Sequence, residues 1–253
     1  MSEFNNAEQS YEPLILAVET SGRLGSVALA QGGKLLGEQL FTGPMRHSAE
    51  VFPAILGLLQ QFGKKASDIE QVYISVGPGS FTGLRIAVTI AKTMALANSV
   101  KIVAVDTLDA VAANVISFTA ERAENAENEL KPNERLATIL DAKRGQFFIA
   151  VYDKTSGAIW EKILPDCLMT AEEFLDRFAG CGKPIALIGE GLVYYKDKFS
   201  DPAVRLLGEK YWNPSAANVH RLGWHKAQLS DFADPLTLTP NYLRQPDVKF
   251  KQI

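Results

Sequence analysis

The chain has 253 residues, with 26 lysines and arginines against 29 aspartates and glutamates, so its formal net charge is −3. Its hydrophobic fraction of 47% is typical of a globular protein and excludes a disordered chain. A slightly acidic chain also lacks the bulk positive charge by which many proteins hold nucleic acid.

No segment of the sequence is predicted to span a membrane or to act as an export signal. The most apolar long stretch, residues 86–105, is interrupted by Lys92 and Lys101, so no membrane-spanning helix is expected. Residues 1–13 lack the basic and apolar regions of a signal peptide, and we interpret them as a disordered tail. The two cysteines match neither a disulfide framework nor a zinc pattern. These features together predict a cytoplasmic protein.

The chain begins with three short strands. Apolar runs over 14–18, 25–30 and 34–41 are separated by short turns that contain glycine, which predicts an antiparallel meander. Hydrophobic periodicity then predicts helices over 45–63, 81–98 and 108–116, with strands over 72–76 and 100–105 between them. The first 116 residues therefore follow the order β-β-β-α-β-α-β-α.

The same order begins again after a polar stretch. Residues 117–135 are rich in charged side chains and are interpreted as a linker between a first lobe, 14–116, and a second lobe, 136–215. The elements predicted for the second lobe are strands over 136–140, 146–152 and 159–164, a helix over 170–179 and a strand over 185–189. An acidic residue, Glu19 or Asp141, closes the first strand of each set. We infer a duplicated α/β lobe.

Two such lobes, each a mixed β-sheet flanked by helices, are the architecture of the actin-like ATPase group. In that group the first turn of each lobe holds phosphates between the lobes, and an acidic residue at each turn holds magnesium. The corresponding residues here are Glu19, Thr20 and Ser21 in the first turn and Asp141 in the second. Glu19 stands where the group prefers aspartate, so these residues form a weak candidate nucleotide site.

A glycine-rich loop, GPGSFTGLR at 77–85, is the most distinctive motif. It joins a predicted strand to the start of a predicted helix, where backbone N–H groups of Gly77, Gly79 and Ser80 would suit an anion. Its glycine spacing matches neither the P-loop nor the dinucleotide fingerprint. The loop is interpreted as either a tight turn or an anion site.

Two neighbouring helices carry more apolar residues than one buried face needs. The helix over 81–98 is apolar on two sides, which predicts burial against its own sheet on one side and against a partner protein on the other. The helix over 45–63 has a second apolar set that would share this face. The residues predicted for the partner surface are His47, Ala49, Phe52, Leu56, Arg85, Ile86, Thr89, Ile90, Thr93 and Met94. A two-layered core within one chain is the alternative.

Six segments, in this order and spacing, resemble one protein family. They are ILAVETS at 15–21, RHSAE at 46–50, GPGSFTGLRI at 77–86, VDTL at 105–108, DAKRGQ at 141–146 and PNYLR at 240–244. Together they resemble the TsaB family, also called YeaZ, which takes part in synthesis of N6-threonylcarbamoyladenosine at position 37 of bacterial tRNA. The resemblance covers residues 14–245.

This resemblance implies a non-catalytic scaffold or activator subunit with the two-lobe actin-like fold. TsaB-like proteins form a heterodimer with their paralogue TsaD, the threonylcarbamoyltransferase, through helices of the first lobe. The ATPase TsaE joins this pair, and TsaB alone often forms a homodimer through the same surface. The resemblance further implies that residues 216–253 return to the first lobe and that tRNA is contacted indirectly. It implies no cofactor of the chain's own, with ATP and magnesium belonging to the assembled complex.

The histidines of the sequence agree with a loss of catalysis. TsaD-like chains carry a His-x3-His metal motif, and Thr107 and Val111 stand at its two positions here. His220 and His225 are five residues apart, about 140° on a helix, so they do not converge on one metal ion. His47 stands alone and is expected at an exposed or interface position. We therefore expect no metal site.

Two catalytic functions are alternatives to an interaction subunit. An actin-fold phosphotransferase would bind Mg–ATP between the lobes through Glu19 and Asp141, whereas a metal-dependent carbamoyltransferase is opposed by the missing histidines. A peptidase is not expected, because the sequence has no HExxH or GxSxG motif and no Cys–His constellation.

Overall fold

The computed structural model describes residues 11–118, 129–154 and 160–244. Most of the predicted tail and linker, and the last nine residues, lie outside the described ranges. Among the described residues, no helix combines the length and the hydrophobicity needed to cross a bilayer.

The first lobe is built on a five-stranded mixed sheet. Its strands are β1 (Leu14–Glu19), β2 (Ser26–Gln31), β3 (Lys34–Leu40), β4 (Ile69–Gly77) and β5 (Lys101–Asp106). They lie in the order β3-β2-β1-β4-β5. The first three pair antiparallel, which confirms the predicted meander, and β4 and β5 join in parallel.

The second lobe repeats this topology. Its strands are β6 (Arg135–Asp141), β7 (Gln146–Lys154), β8 (Trp160–Thr170), β9 (Ile185–Ile188) and β10 (Val204–Leu206). They lie in the order β8-β7-β6-β9-β10, with the same antiparallel and parallel pairings. Glu19 and Asp141 end the central strands β1 and β6, so the duplication inferred from the sequence is confirmed.

Six α-helices flank the sheets in the part of the chain that the structure describes. They are α1 (His47–Gln61), α2 (Phe81–Asn98), α3 (Thr107–Ala112), α4 (Ala171–Phe178), α5 (Leu192–Tyr195) and α6 (Ala216–Gln228). Ser80 caps α2 by accepting a hydrogen bond from the Gly83 N–H, and Ser99 ends it in a left-handed conformation. α2 therefore occupies the predicted range without extension.

The first sheet is covered on both faces. Helices α1 and α2 pack on one face, and α6 packs on the other. The α6 face of the sheet is lined by small residues such as Ala17 and Ala28, which let the helix approach closely. A Cβ on Gly223 of α6 would lie 2.5 Å from the Tyr73 ring. The C-terminal part of the chain therefore packs on the first sheet.

The second sheet encloses the larger apolar cluster. Phe147, Phe174 and Phe199 meet there at centroid distances of 5.0 and 5.8 Å. Leu108 and Val111 of α3 also lie in this cluster, although they precede the lobe boundary predicted from the sequence. α3 thus joins the two lobes by packing.

Candidate functional site

In the first turn of the predicted phosphate site, the acidic side chain is bound by neighbouring groups of the same lobe. Glu19 is fully buried and accepts hydrogen bonds from the Ser21 N–H at 2.6 Å and from the hydroxyl groups of Ser21 and Ser75. Burial raises the pKa of Glu19, although these hydrogen bonds oppose the shift. The carboxyl group is held inside the fold and does not face the cleft.

The glycine-rich loop fills the space beside that turn. The Thr20 hydroxyl donates to the Gly83 carbonyl at 2.7 Å, and the Ser80 N–H donates to the Ser21 carbonyl at 2.7 Å. A Cβ on Gly83 would lie 1.7 Å from the Thr20 carbonyl oxygen, and one on Gly79 would lie 2.5 Å from that of Ser21. The glycines are therefore needed for close packing of two backbone segments.

The first turn therefore does not present its predicted phosphate-binding groups to the space between the lobes. Glu19, Thr20 and Ser21 are at most 1% exposed and are engaged within the chain. Gly77 is also buried, and a Cβ there would lie 2.7 Å from the Asn241 carbonyl oxygen.

In the second turn, the acidic residue is bound by a lysine of the same turn. Asp141 accepts hydrogen bonds from both the backbone N–H of Lys143, at 2.7 Å, and its ammonium group, at 2.6 Å. A magnesium ion at Asp141 would have to displace this lysine from the carboxylate. With Glu19 buried as well, the residues present do not fit the Mg–nucleotide site of actin-like ATPases.

A cavity of about 760 Å³ nevertheless lies between the lobes. Of the candidate phosphate residues, Gly79, Ser80 and Asp141 line it, whereas Glu19, Thr20, Ser21 and Gly77 do not. The segment Asn241–Arg244 forms part of the wall, because the Asn241 N–H donates to the Val76 carbonyl and the Tyr242 ring stacks on Phe81. The cavity therefore has walls from both lobes and from the C-terminal segment.

Glu190 is a cavity residue that the sequence analysis did not identify. It follows β9 and reaches the first lobe, where its Oε2 accepts a hydrogen bond from the Arg23 N–H at 2.6 Å. Burial raises the pKa of Glu190 to about 7, against a smaller opposing effect of that hydrogen bond. A sequence signal existed, since Glu190 lies between two glycines directly after an apolar strand.

We expect Glu190→Gln to remove a pH dependence of stability. The pKa of Glu190 is raised from 4.5 to about 7 on folding, so the folded state binds more protons and loses stability as pH rises between these values. The glutamine variant should therefore be more stable than the wild type at pH 8, by about 2–3 kcal/mol, with little difference near pH 4. Urea unfolding at several pH values measures this, with the exposed Glu209→Gln as control; parallel profiles for Glu190→Gln and wild type would contradict it.

Half of the residues predicted for the partner surface line a shallow groove between α1 and α2, with a volume of about 340 Å³; they are Phe52, Arg85, Ile86, Thr89 and Ile90. Phe52 and Leu56 on α1 are 59% and 64% exposed. Across the groove, α2 contributes the exposed Arg85 and Thr89 and the half-buried Ile86. Two large apolar side chains on one helix face are exposed to solvent beside this groove, which marks a candidate protein-binding surface. The remaining candidates Ala49 and Thr93 are exposed, and Met94 is half-buried.

Two residues predicted for that surface are internal. His47 is 3% exposed, and its Nε2 lies 2.9 Å from the Gly22 carbonyl oxygen, so the expectation of an exposed or interface histidine is wrong. Burial lowers the pKa of His47. Ile90 is 6% exposed and packs in the core with α1 and the first sheet, so it contributes only to the floor of the groove.

The positions of the TsaD metal motif are occupied by buried, non-ligating side chains. Thr107 begins α3 and Val111 lies one turn later, and both are fully buried. His220 is buried, with its Nε2 2.8 Å from the Gly32 carbonyl oxygen, and His225 is exposed. Within the described ranges, no cluster of three or more histidine, cysteine or acidic side chains could hold a metal ion.

Comparison with known proteins gives consistent matches. The family model described as TsaD, tRNA N6-adenosine threonylcarbamoyltransferase, matches residues 44–210. The tRNA threonylcarbamoyladenosine biosynthesis protein TsaB of Bacillus subtilis strain 168 is 28% identical, covering 94% of this chain and 97% of the relative. TsaB of Escherichia coli K12 is 25% identical over 81% of this chain and 83% of the relative.

The fold has a solved counterpart. The structure of YeaZ from Pseudomonas aeruginosa superposes with a TM-score of 0.72 at 23% identity and covers 91% of this chain and 100% of that one. Together with the duplicated sheets, this establishes the two-lobe actin-like fold. The chain therefore belongs to the family of the TsaD model and, within it, to the TsaB (YeaZ) branch.

Proposed function

We propose that the chain is a non-catalytic subunit in the synthesis of N6-threonylcarbamoyladenosine in tRNA. Its curated TsaB relatives are named for this pathway. The observation that carries the non-catalytic role is the closed first turn, where the glycine-rich loop packs against Thr20 and Ser21 and Glu19 is buried. The buried Thr107 and Val111 further oppose a transferase centre of the TsaD type.

The chain acts through the surface beside the α1–α2 groove. Phe52 and Leu56 offer an apolar patch, and Arg85 adds a cationic group at its edge, with its guanidinium 4.8 Å from the Phe81 ring centroid. The partner is the TsaD-like paralogue, and a second copy of this chain occupies the surface when the chain is alone. The TsaE-like ATPase joins the pair, tRNA is contacted through the complex, and ATP with magnesium enters only there.

A phosphotransferase is the weaker candidate function. It would need two carboxylates free to hold magnesium in the cleft. Glu19 instead binds serine groups inside the fold, and Asp141 binds Lys143.

We expect Leu56→Asp to weaken association while the fold is kept. Leu56 is 64% exposed, so the change removes little internal packing, but it places a charge beside Phe52 on the exposed apolar side of α1. The affinity for the paralogue should fall at least tenfold, about 1.4 kcal/mol or more. Pull-down and calorimetry with the purified TsaD-like protein measure the affinity, and light scattering measures the homodimer.

Leu229→Asp is the matched control, because Leu229 is 71% exposed and lies just after α6, away from the groove. It should bind the paralogue as the wild type does. Equal loss of binding in both variants, or wild-type binding by Leu56→Asp, would place the docking surface elsewhere.

A further inference from the structure

We propose that the segment 241–244, here called the strap, positions the α1–α2 surface for its partner, and that Tyr242 does so by holding the Phe81 ring in place. This role rests on the proposed function, because the surface concerned is the one that receives the TsaD-like protein. Phe81 is the first residue of α2, and it lines both the α1–α2 groove and the cavity between the lobes. The ring therefore stands where the docking surface meets the space between the lobes.

One end of the strap is fixed to the first lobe beside the glycine-rich loop. The Asn241 N–H donates to the Val76 carbonyl oxygen at 2.6 Å. The Asn241 carbonyl oxygen lies so close to Gly77 that a Cβ there would be 2.7 Å from it. Because residue 77 is a glycine, the backbones of the strap and the loop can approach closely. These contacts bring Tyr242 to the start of α2.

The other end of the strap is attached to the second lobe. The Leu243 side chain packs against the apolar cluster of the second sheet. The Arg244 guanidinium donates to the Lys143 carbonyl oxygen at 3.3 Å and to the side-chain oxygen of Gln146. The strap thus bridges the two lobes within a few residues, and Tyr242 is held by attachments on both sides.

Between these attachments, Tyr242 begins a series of contacts that reaches the groove. Its ring stacks on Phe81 with 5.0 Å between the centroids and 28° between the planes. The Arg85 guanidinium lies 4.8 Å from the Phe81 centroid, and Arg85 follows Phe81 by one helical turn on the same side of α2. Phe81 is 43% exposed, so the Tyr242 ring supplies contacts that restrict a partly exposed side chain.

Restricting Phe81 and Arg85 before the partner arrives favours association. An interface loses free energy when it immobilises side chains that are free in the unbound protein. An arginine contributes strongly to this cost, since its long side chain has many rotamers. With Phe81 held by Tyr242, and Arg85 held against Phe81, a carboxylate of the partner would meet a guanidinium that is already in position.

Calorimetric titration of the full chain with the purified TsaD-like protein tests the proposal. Tyr242→Leu removes the ring but keeps an apolar side chain, whereas Tyr242→Phe keeps the ring. Tyr194→Leu is the control for loss of an aromatic side chain, because Tyr194 lines the cavity but not the groove. Phe81→Leu, alone and combined with Tyr242→Leu, completes a double-mutant cycle.

We expect Tyr242→Leu to weaken the affinity for the partner about fivefold. Tyr242→Phe and Tyr194→Leu should bind as the wild type does. In a chain that already carries Phe81→Leu, the further change Tyr242→Leu should weaken binding by less than about twofold, because the ring through which Tyr242 acts is gone.

Absence of binding by the wild-type chain would overturn the proposed function and the positioning role with it. If the wild type binds, the positioning role alone is overturned by wild-type affinity of Tyr242→Leu, by an equal loss in Tyr242→Phe or Tyr194→Leu, or by additive losses in the double variant. A Tyr242→Leu chain that circular dichroism shows to be unfolded would also overturn it, because Tyr242 would then be needed for the fold itself.

Discussion

Replacing Gly83 by alanine is expected to destabilise the chain by at least about 3 kcal/mol, a large part of the 5–15 kcal/mol that stabilises a typical domain. The added Cβ would lie 1.7 Å from the Thr20 carbonyl oxygen. The two segments cannot simply separate, because the Thr20 hydroxyl donates to the Gly83 carbonyl at 2.7 Å in a buried position. Relief of the clash would therefore break a buried hydrogen bond and loosen the neighbouring Glu19 turn.

Urea unfolding followed by circular dichroism measures this change, with Gly57→Ala as the matched control. Both glycines lie in α-helices, but a Cβ on Gly57 meets no atom within 4 Å. Alanine at residue 57 should stabilise the chain by about 0.5–1 kcal/mol through its higher helix propensity. If Gly83→Ala unfolded at the same urea concentration as Gly57→Ala, the close packing of the glycine-rich loop on the first turn would be disproved.

The duplicated lobe could be predicted because its signals are local. Apolar runs end at Glu19 and Asp141, and turn residues follow each of them, so strand order is visible along the chain. The end of β8 was predicted too early, at residue 164. The strand continues through Pro165 to Thr170, which is possible because β8 is the outer strand of its sheet and needs no N–H donor on its open side.

Burial of single polar or apolar residues could not be predicted in the same way. His47 looks like a surface residue until the fold brings the Gly22 carbonyl to its Nε2. Ile90 lies on one of two apolar sides of α2, and periodicity does not tell which side is covered by α1. Both errors come from contacts between residues far apart in sequence.

The two candidate sites also differ in whether they depend on local sequence patterns or on contacts between distant residues. Phe52 and Leu56 were found because an extra apolar set on an amphipathic helix is a local pattern, and both are exposed. The cavity depends on long-range contacts, such as the hydrogen bond from the Arg23 N–H to Glu190 across 167 residues of sequence. The close contacts of Gly79 and Gly83 with the first turn also join residues far apart in sequence. The sequence alone therefore allows these glycines to be interpreted as an anion site.

Lys162→Met is expected to destabilise the chain by about 3 kcal/mol at pH 8. The Lys162 ammonium lies 2.7 Å from both Asp109 and Asp166 and 3.5 Å from Asp106, and its side chain is only 20% exposed. Burial acts to lower the pKa of Lys162, but the charges of Asp109 and Asp166 outweigh it and the pKa is raised. Methionine has a similar length but leaves the neighbouring carboxylates without their cation. This network joins α3 to β8, and so connects the first lobe's last strand to the second sheet.

The destabilisation should depend on pH in a direction set by the carboxyl groups. Burial already raises the pKa of Asp166 to about 6 with Lys162 present, and loss of the ammonium removes the main influence that lowers it. In the variant, the folded state therefore binds protons more tightly than the unfolded state, so stability falls as pH rises. The difference from wild type should be smaller at pH 5 than at pH 8.

Lys210→Met is the control, because its ion pair with Glu129 is exposed and 3.9 Å long, and it should change stability by less than about 0.5 kcal/mol at either pH. A loss in Lys162→Met that did not vary with pH would show that packing of the lysine stem, not its charge, stabilises the contact between α3 and β8.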